Sequence, residues 1–210
     1  MIRLDIFSDP ICPWCYIGKA GLDAALEARA DHPFAVEWHP FMLNPDMPAG
    51  GMDRAAYLEA KFGSKEDAVK RMLTIQQAAE AAGVPIDFAA QTRLPSTLDA
   101  HRLIHWAGLE GRQNAVVAAL FRAYFVDGAD IGEPEVLTGI AGAAGLDAAM
   151  IARLLESDGD VEEIRARDAD IRARGLSGVP AFIIDGQHVL HGAQPRDVWL
   201  QVIDQMAGRA

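Results

Sequence analysis

Across 210 residues the chain carries 30 acidic and 19 basic side chains, a formal net charge of −11. That balance disfavours a phosphate-backbone ligand, so no nucleic-acid partner is expected. Half of the residues are apolar, enough for a sizeable core, yet no apolar run approaches a membrane span and no apolar leader with a cleavage site is visible near Met1. The expectation is a cytoplasmic protein without membrane contact.

Residues 2–8 read as a strand, with Ile2, Leu4 and Ile6 on one face and Arg3, Asp5 and Phe7 on the other. Cys12-Pro13-Trp14-Cys15 then opens a helical stretch that runs to Ala30. Proline fits the first helical position, where its missing N–H breaks no bond. A sulfur at Cys12 meets unpaired backbone N–H groups and the positive end of the helix dipole, which favour a thiolate. Cysteines at i and i+3 share a helix face, so a disulfide between them is close to feasible. They are the only two cysteines in the chain, too few for a disulfide scaffold; redox chemistry or metal is the expectation for such a pair. Zinc would need His or acidic ligands from elsewhere, and no metal is expected.

Residues 34–43 suggest a second strand, with Pro40 marking an irregular or edge end, which completes a βαβ unit. Helical signals follow for more than a hundred residues. Asp53 caps a short helix to Phe62; Ser64 with Asp67, and Ser96 with Asp99, cap two more. Further helices are expected around 116–123, from Pro134, over 147–156 and over 160–174. Strand character returns at 181–184, Asp185-Gly186 is a hairpin turn, Val189-Leu190 returns antiparallel, and 195–207 closes as a helix. Residues 1–45 and 175–210 therefore form one discontinuous α/β domain, and 46–174 an all-helical insertion within it.

Among single residues, Trp14 lies between the cysteines and is expected to face solvent and touch substrate. Trp38 fits a substrate wall as well as it fits the core, and Phe41 fits the core better. Asn44 either orients substrate or starts a loop. His101 and His105 are spaced i, i+4, but Arg102 stands where a metalloprotease helix has its Glu, so a hydrogen-bonded helix face is favoured over metal. Glu133, Glu135 and the acids at 160–163 read as helix-starting charges.

The order βαβ, helices, ββα, with Cys-x-x-Cys after the first strand and Gly178-Val179-Pro180 before the third, resembles the thioredoxin fold. The long insertion makes it similar to the DsbA family. Residues 8–18 (Ser-Asp-Pro-Ile-Cys-Pro-Trp-Cys-Tyr-Ile-Gly) resemble the FrnE-type branch of that family. So do Trp38-His39-Pro40-Phe41-Met42-Leu43-Asn44-Pro45, Ala100-His101-Arg102-Leu103, residues 120–125 and Gly192-Ala193-Gln194-Pro195. The resemblance implies disulfide exchange with Cys12 as nucleophile and Cys15 as resolving thiol. It implies a cis Val179–Pro180 bond facing the dithiol, with Pro180 part of the catalytic apparatus. Pro13, Trp14, Val179, Trp38, Asn44, His101 and Gln194 fall on the substrate side. The expected partner is a disulfide-bearing protein or small-molecule thiol or disulfide, with no resident cofactor and glutathione as a possible co-substrate.

Three departures shape the expectation. The middle pair is Pro-Trp, not the Pro-His of periplasmic DsbA. Ile6 stands where thioredoxin-type strands carry an acid, and Asp5 is one register off. A related branch of 2-hydroxychromene-2-carboxylate isomerases and kappa-class glutathione transferases has Ser at the Cys12 position and an acid where Pro195 stands. With no positive charge at Trp14, a reducing or isomerising role fits better than net oxidation. A glutathione-dependent isomerase or transferase acting on a small aromatic molecule is the alternative.

Overall fold

A computed structural model, describing residues 1–209, places strand β1 (Ile2–Ser8) at the centre of a sheet. Both faces of β1 are covered. Leu4 and Ile6 are fully enclosed, and Asp5 opposite them is also buried, its carboxylate accepting from Arg3 and His39 at 2.7 Å each. Helix α1 (Pro13–Ala28) crosses over to strand β2 (Phe34–Pro40), which pairs with β1 in parallel.

β2 ends at Pro40, three residues short of the expected end. Beyond it the backbone donors find other partners: Phe41 N–H donates to the Ser8 carbonyl at 3.2 Å, Met42 N–H to the Asp168 carboxylate at 2.7 Å, and Leu43 N–H to the Asp9 carboxylate at 2.6 Å. The outer edge of β2 is covered by a side chain. The Gln113 amide accepts from Trp38 N–H at 2.7 Å and donates to the Trp38 carbonyl at 2.9 Å, as a neighbouring strand would.

The insertion contains β3 (Met52–Asp53), α2 (Arg54–Phe62), α3 (Lys65–Ala81), β4 (Arg93–Leu94), α4 (Leu98–Leu109), α5 (Gln113–Phe125), α6 (Pro134–Ala143), α7 (Ala148–Leu155) and α8 (Val161–Ala173). It is not all-helical. Met52 and Asp53 pair with Leu94 and Arg93 in a two-stranded ribbon that closes the base of the α2–α3 hairpin. Strands two residues long carry no periodicity to read. Asp53 and Ser64 accept from the backbone N–H groups three residues on, at 2.8 and 3.1 Å, as capping residues do. α4 starts one residue later than Ser96 suggested, after Thr97, whose side chain makes no capping bond and instead turns to Asp9. Arg102, fully buried, donates to the carbonyls of Leu154, Ser157 and Gly159 and to Asp99, tying α4 to the end of α7.

Strand β5 (Ala181–Ile184) joins the free side of β1 antiparallel, which sets Ile6 between Trp38 and Phe182. Asp185 (φ 54°) and Gly186 (φ 68°) form the tight turn to strand β6 (His188–His191), giving the order β2-β1-β5-β6. Helix α9 (Arg196–Met206) packs beside α1, with Trp199 edge-on to Phe182 at 4.8 Å. Enclosing each such side chain stabilises the fold by roughly 2–3 kcal/mol. Among the described residues no helix is long and apolar enough to cross a membrane.

Candidate active site

The dithiol is placed by a short turn at the end of β1. Cys12 N–H donates to the Asp9 carbonyl at 2.9 Å, and Cys12 becomes the N-cap of α1 in extended conformation (φ −87°, ψ 113°). Pro13 is the first helical residue, and the first turn carries no acid to oppose negative charge on the sulfur. Cys15 N–H returns to the Cys12 carbonyl at 3.0 Å, so Cys15 lies one turn further in, 1% exposed. The two thiols are not bonded to each other. Burial, then the adjacent Cys12 sulfur, holds the Cys15 thiol well above its ordinary range; the Ser8 hydroxyl and Asp9 backbone N–H act the other way.

Across from the dithiol, the Val179–Pro180 peptide is cis. The Cys12 thiol points at the Val179 carbonyl at 3.7 Å. Two glycines allow the helix to approach this loop. A Cβ at Gly18 would lie 3.2 Å from Pro180 Cγ, and one at Gly21 only 2.3 Å from the Gln194 carbonyl oxygen. Pro180 thus sits against the first turns of α1, and its carbonyl accepts from Gly192 N–H at 2.8 Å.

A cavity of about 380 Å³ opens on the Cys12 side of the dithiol. Cys12, Pro13, Trp14, Asn44 and Val179 line it, so the structure brings these five expected residues together. Trp14 is 36% exposed at its rim. Asn44 accepts from the Tyr57 hydroxyl at 2.6 Å, which links the loop after β2 to α2.

Three expected substrate contacts lie elsewhere. Trp38 is core, 3% exposed, with its backbone engaged by Gln113 and its ring 5.8 Å from Lys19 Nζ. Gln194 turns back to donate to the His191 carbonyl at 2.7 Å and fixes the loop beside α1. His101 is enclosed behind the site, its Nε2 3.9 Å from an Asp9 oxygen and without a hydrogen-bond partner. Burial lowers its pKa to about 4, only partly offset by the Asp168 charge, so the ring is neutral at pH 7 and makes no ion pair with Asp9.

Asp9 itself is the residue that sequence reasoning undervalued. Its carboxyl is fully buried, bonded to Leu43 N–H, Ile11 N–H and Thr97, and burial pushes its pKa up to about 7. It clamps the end of β1, the loop after β2 and the start of α4 into one wall behind the dithiol. Asp5, by contrast, is committed to His39 and Arg3. The cavity also holds Arg54, Lys61 and Arg71, cations to which no motif drew attention. Two carboxylate–histidine groups occur among the described residues, Asp5/Glu37/His39 and His105/Asp160/Glu163; neither includes a cysteine, and Arg167 donates to both histidines.

A four-stranded sheet of this order, with a helix-initial dithiol facing a cis-proline loop, defines the thioredoxin-fold thiol oxidoreductases. The chain belongs to the DSBA-like thioredoxin domain family, whose model matches residues 3–204. It is 30% identical over 207 residues to YwbO of Bacillus subtilis (strain 168), an uncharacterized protein, with 96% of each chain covered. A structure described as a probable DsbA oxidoreductase from Streptomyces coelicolor is 33% identical, covering 100% of this chain and 92% of that one, with a TM-score of 0.87. The fold is shared with the cytosolic disulfide reductase DsbM of Pseudomonas aeruginosa, solved with GSH, at 22% identity and TM-score 0.70, covering 98% and 99% of the two chains. It is also shared with a 2-hydroxychromene-2-carboxylate isomerase at 17% identity and TM-score 0.69, covering 98% and 95%.

Proposed function

We propose that this protein is a thiol–disulfide oxidoreductase that reduces or isomerises disulfides through Cys12 and Cys15. The observation that carries the reading is their asymmetry: both sulfurs are buried, but Cys12 caps the helix and lines the cavity, while Cys15 lies one turn behind it and does not. The Cys12 thiolate attacks a substrate disulfide, forming a mixed disulfide and releasing one thiolate. Cys15, once deprotonated, attacks the Cys12 sulfur, forming the Cys12–Cys15 disulfide and releasing the second thiolate. The substrate gains two electrons and the dithiol loses two; a low-molecular-weight thiol such as glutathione, itself oxidised to a disulfide, restores it. The cytoplasm is the proposed setting, where the thiol pool favours the reduced pair. DsbM, which shares the fold, is a cytosolic reductase, in keeping with this setting.

Cys15→Ser tests the reading. It should accumulate a mixed disulfide on Cys12 and lose multiple-turnover reduction of insulin, and Cys12→Ser should form no adduct. Absence of any disulfide reduction by the wild type would sink the proposal. The aromatic lining of the cavity, Phe62, Phe88 and Phe125 included, favours a second reading as a glutathione-dependent isomerase or transferase on a small aromatic molecule. Under that reading Cys15→Ser leaves turnover intact.

A further inference from the structure

The cavity beside Cys12 has an electrostatic character opposite to that of the chain. The protein as a whole carries a net charge of −11. Yet the residues around this cavity include Arg54, Lys61 and Arg71 and not one Asp or Glu. All three cations lie on the α2–α3 hairpin that forms its lid.

Arg54 is the most committed of them. Its side chain is half-buried, 5.3 Å from the centre of the Phe88 ring and 3.8 Å from the Met72 sulfur, with the Tyr124 hydroxyl nearby. It forms no ion pair among the described residues. Lys61 meets the Tyr57 hydroxyl at 2.5 Å, and Arg71 lies over Phe62 at 4.9 Å; neither has an ion-pair partner among the described residues. A guanidinium withdrawn from water without a counter-ion costs free energy that an arriving anion offsets. Guanidinium also matches carboxylate geometry with paired donors. Apart from Asn44, Thr74, Gln91 and two tyrosines the rest of the wall is apolar, and the volume suits a small molecule.

We propose that the α2–α3 lid makes this site selective for small disulfides that carry a carboxylate, with Arg54 as the group that binds it. The inference rests on Cys12 as nucleophile and adds the substrate class. A disulfide with an apolar body and a carboxylate lays the body along Leu58, Ile75 and Phe88, anchors its anion at Arg54 and presents its sulfurs to Cys12.

Two chromogenic disulfides test this: 5,5′-dithiobis(2-nitrobenzoate), which is dianionic, and 4,4′-dithiodipyridine, which is neutral. The readout is the ratio of their second-order rate constants with the reduced protein. Arg54→Met should lower the ratio at least tenfold and Arg54→Glu further still. Arg165→Glu, an exposed change of the same charge on α8, should leave it within twofold of wild type. A ratio equal across wild type, R54M and R54E overturns the proposal, as does a fall in R165E as large as that in R54E. Cys12→Ser separates the two levels. If it reacts with the neutral probe as fast as wild type, the nucleophile assignment fails; if it is inert while the ratio is flat, only the anion selection fails.

Discussion

The Val179 carbonyl and the Cys12 thiol, 167 residues apart in sequence, meet at 3.7 Å and close the site from opposite ends of the chain. Between them they leave Cys12 as the sulfur that lines the cavity, with Cys15 behind it.

Alkylation should follow that geometry. In the native reduced protein, iodoacetamide labels Cys12 at least tenfold faster than Cys15, whose thiol is held protonated by burial. Peptide mapping by mass spectrometry checks this. Equal labelling of the two in the absence of denaturant would contradict the burial of Cys15.

Asp9 gives the fold a pH dependence of definite sign. Its pKa rises from 3.8 unfolded to about 7 folded, so the protonated acid is the form the fold favours. Its contribution is complete below about pH 4 and is lost as pH rises through 7, amounting to roughly 4 kcal/mol. His101, lowered to about 4, works in the opposite direction, costing stability as pH falls below 6.5. Urea unfolding of wild type and Asp9→Asn isolates the first effect, because His101 is common to both. Between pH 5 and 8 wild type should lose stability relative to D9N by a few kcal/mol; parallel curves would refute it.

Arg102→Leu should destabilise the protein by about 3–5 kcal/mol, since it strips three carbonyls and Asp99 of their donor in a buried setting. The Cys12 alkylation rate measured well below the melting transition should change little, because Arg102 does not line the cavity. A loss of under 1 kcal/mol in urea titration would show that the α4–α7 tie is dispensable.

Glycines in helices should divide by what surrounds them. Gly21→Ala forces α1 away from the Gln194 carbonyl and should cost about 1–3 kcal/mol. Gly139→Ala in α6 faces open space and should stabilise by about 0.5–1 kcal/mol. Thermal melts of the two variants should move in opposite directions.

The sheet was legible because its signals are local. Alternation marks β1, Asp185-Gly186 marks the hairpin, and a proline between two cysteines marks a helix start. The wall behind the dithiol was not legible. Nothing in Ser-Asp-Pro says that Asp9 loses all contact with water, because its partners at residues 43 and 97 are brought to it only by the tertiary fold. His101 and Arg102 adjoin in one motif, and spacing gave no means of telling that Arg102 is the tie between helices and that His101 is enclosed away from the cavity. Arg54 likewise reads as an ordinary surface charge after a capping Asp53. Its environment depends on Phe88 and Tyr124, dozens of residues downstream.

The meeting of Cys12 with Val179 has a consequence for how the protein is made. At roughly 5–20 residues per second, translation exposes the dithiol about 10–30 s before the facing loop exists. During that interval the nascent chain offers both sulfurs without the Val179–Pro180 loop that later faces Cys12. Any oxidant or metal present at the ribosome meets the pair without that loop, and the last forty residues complete the site in time as well as in space.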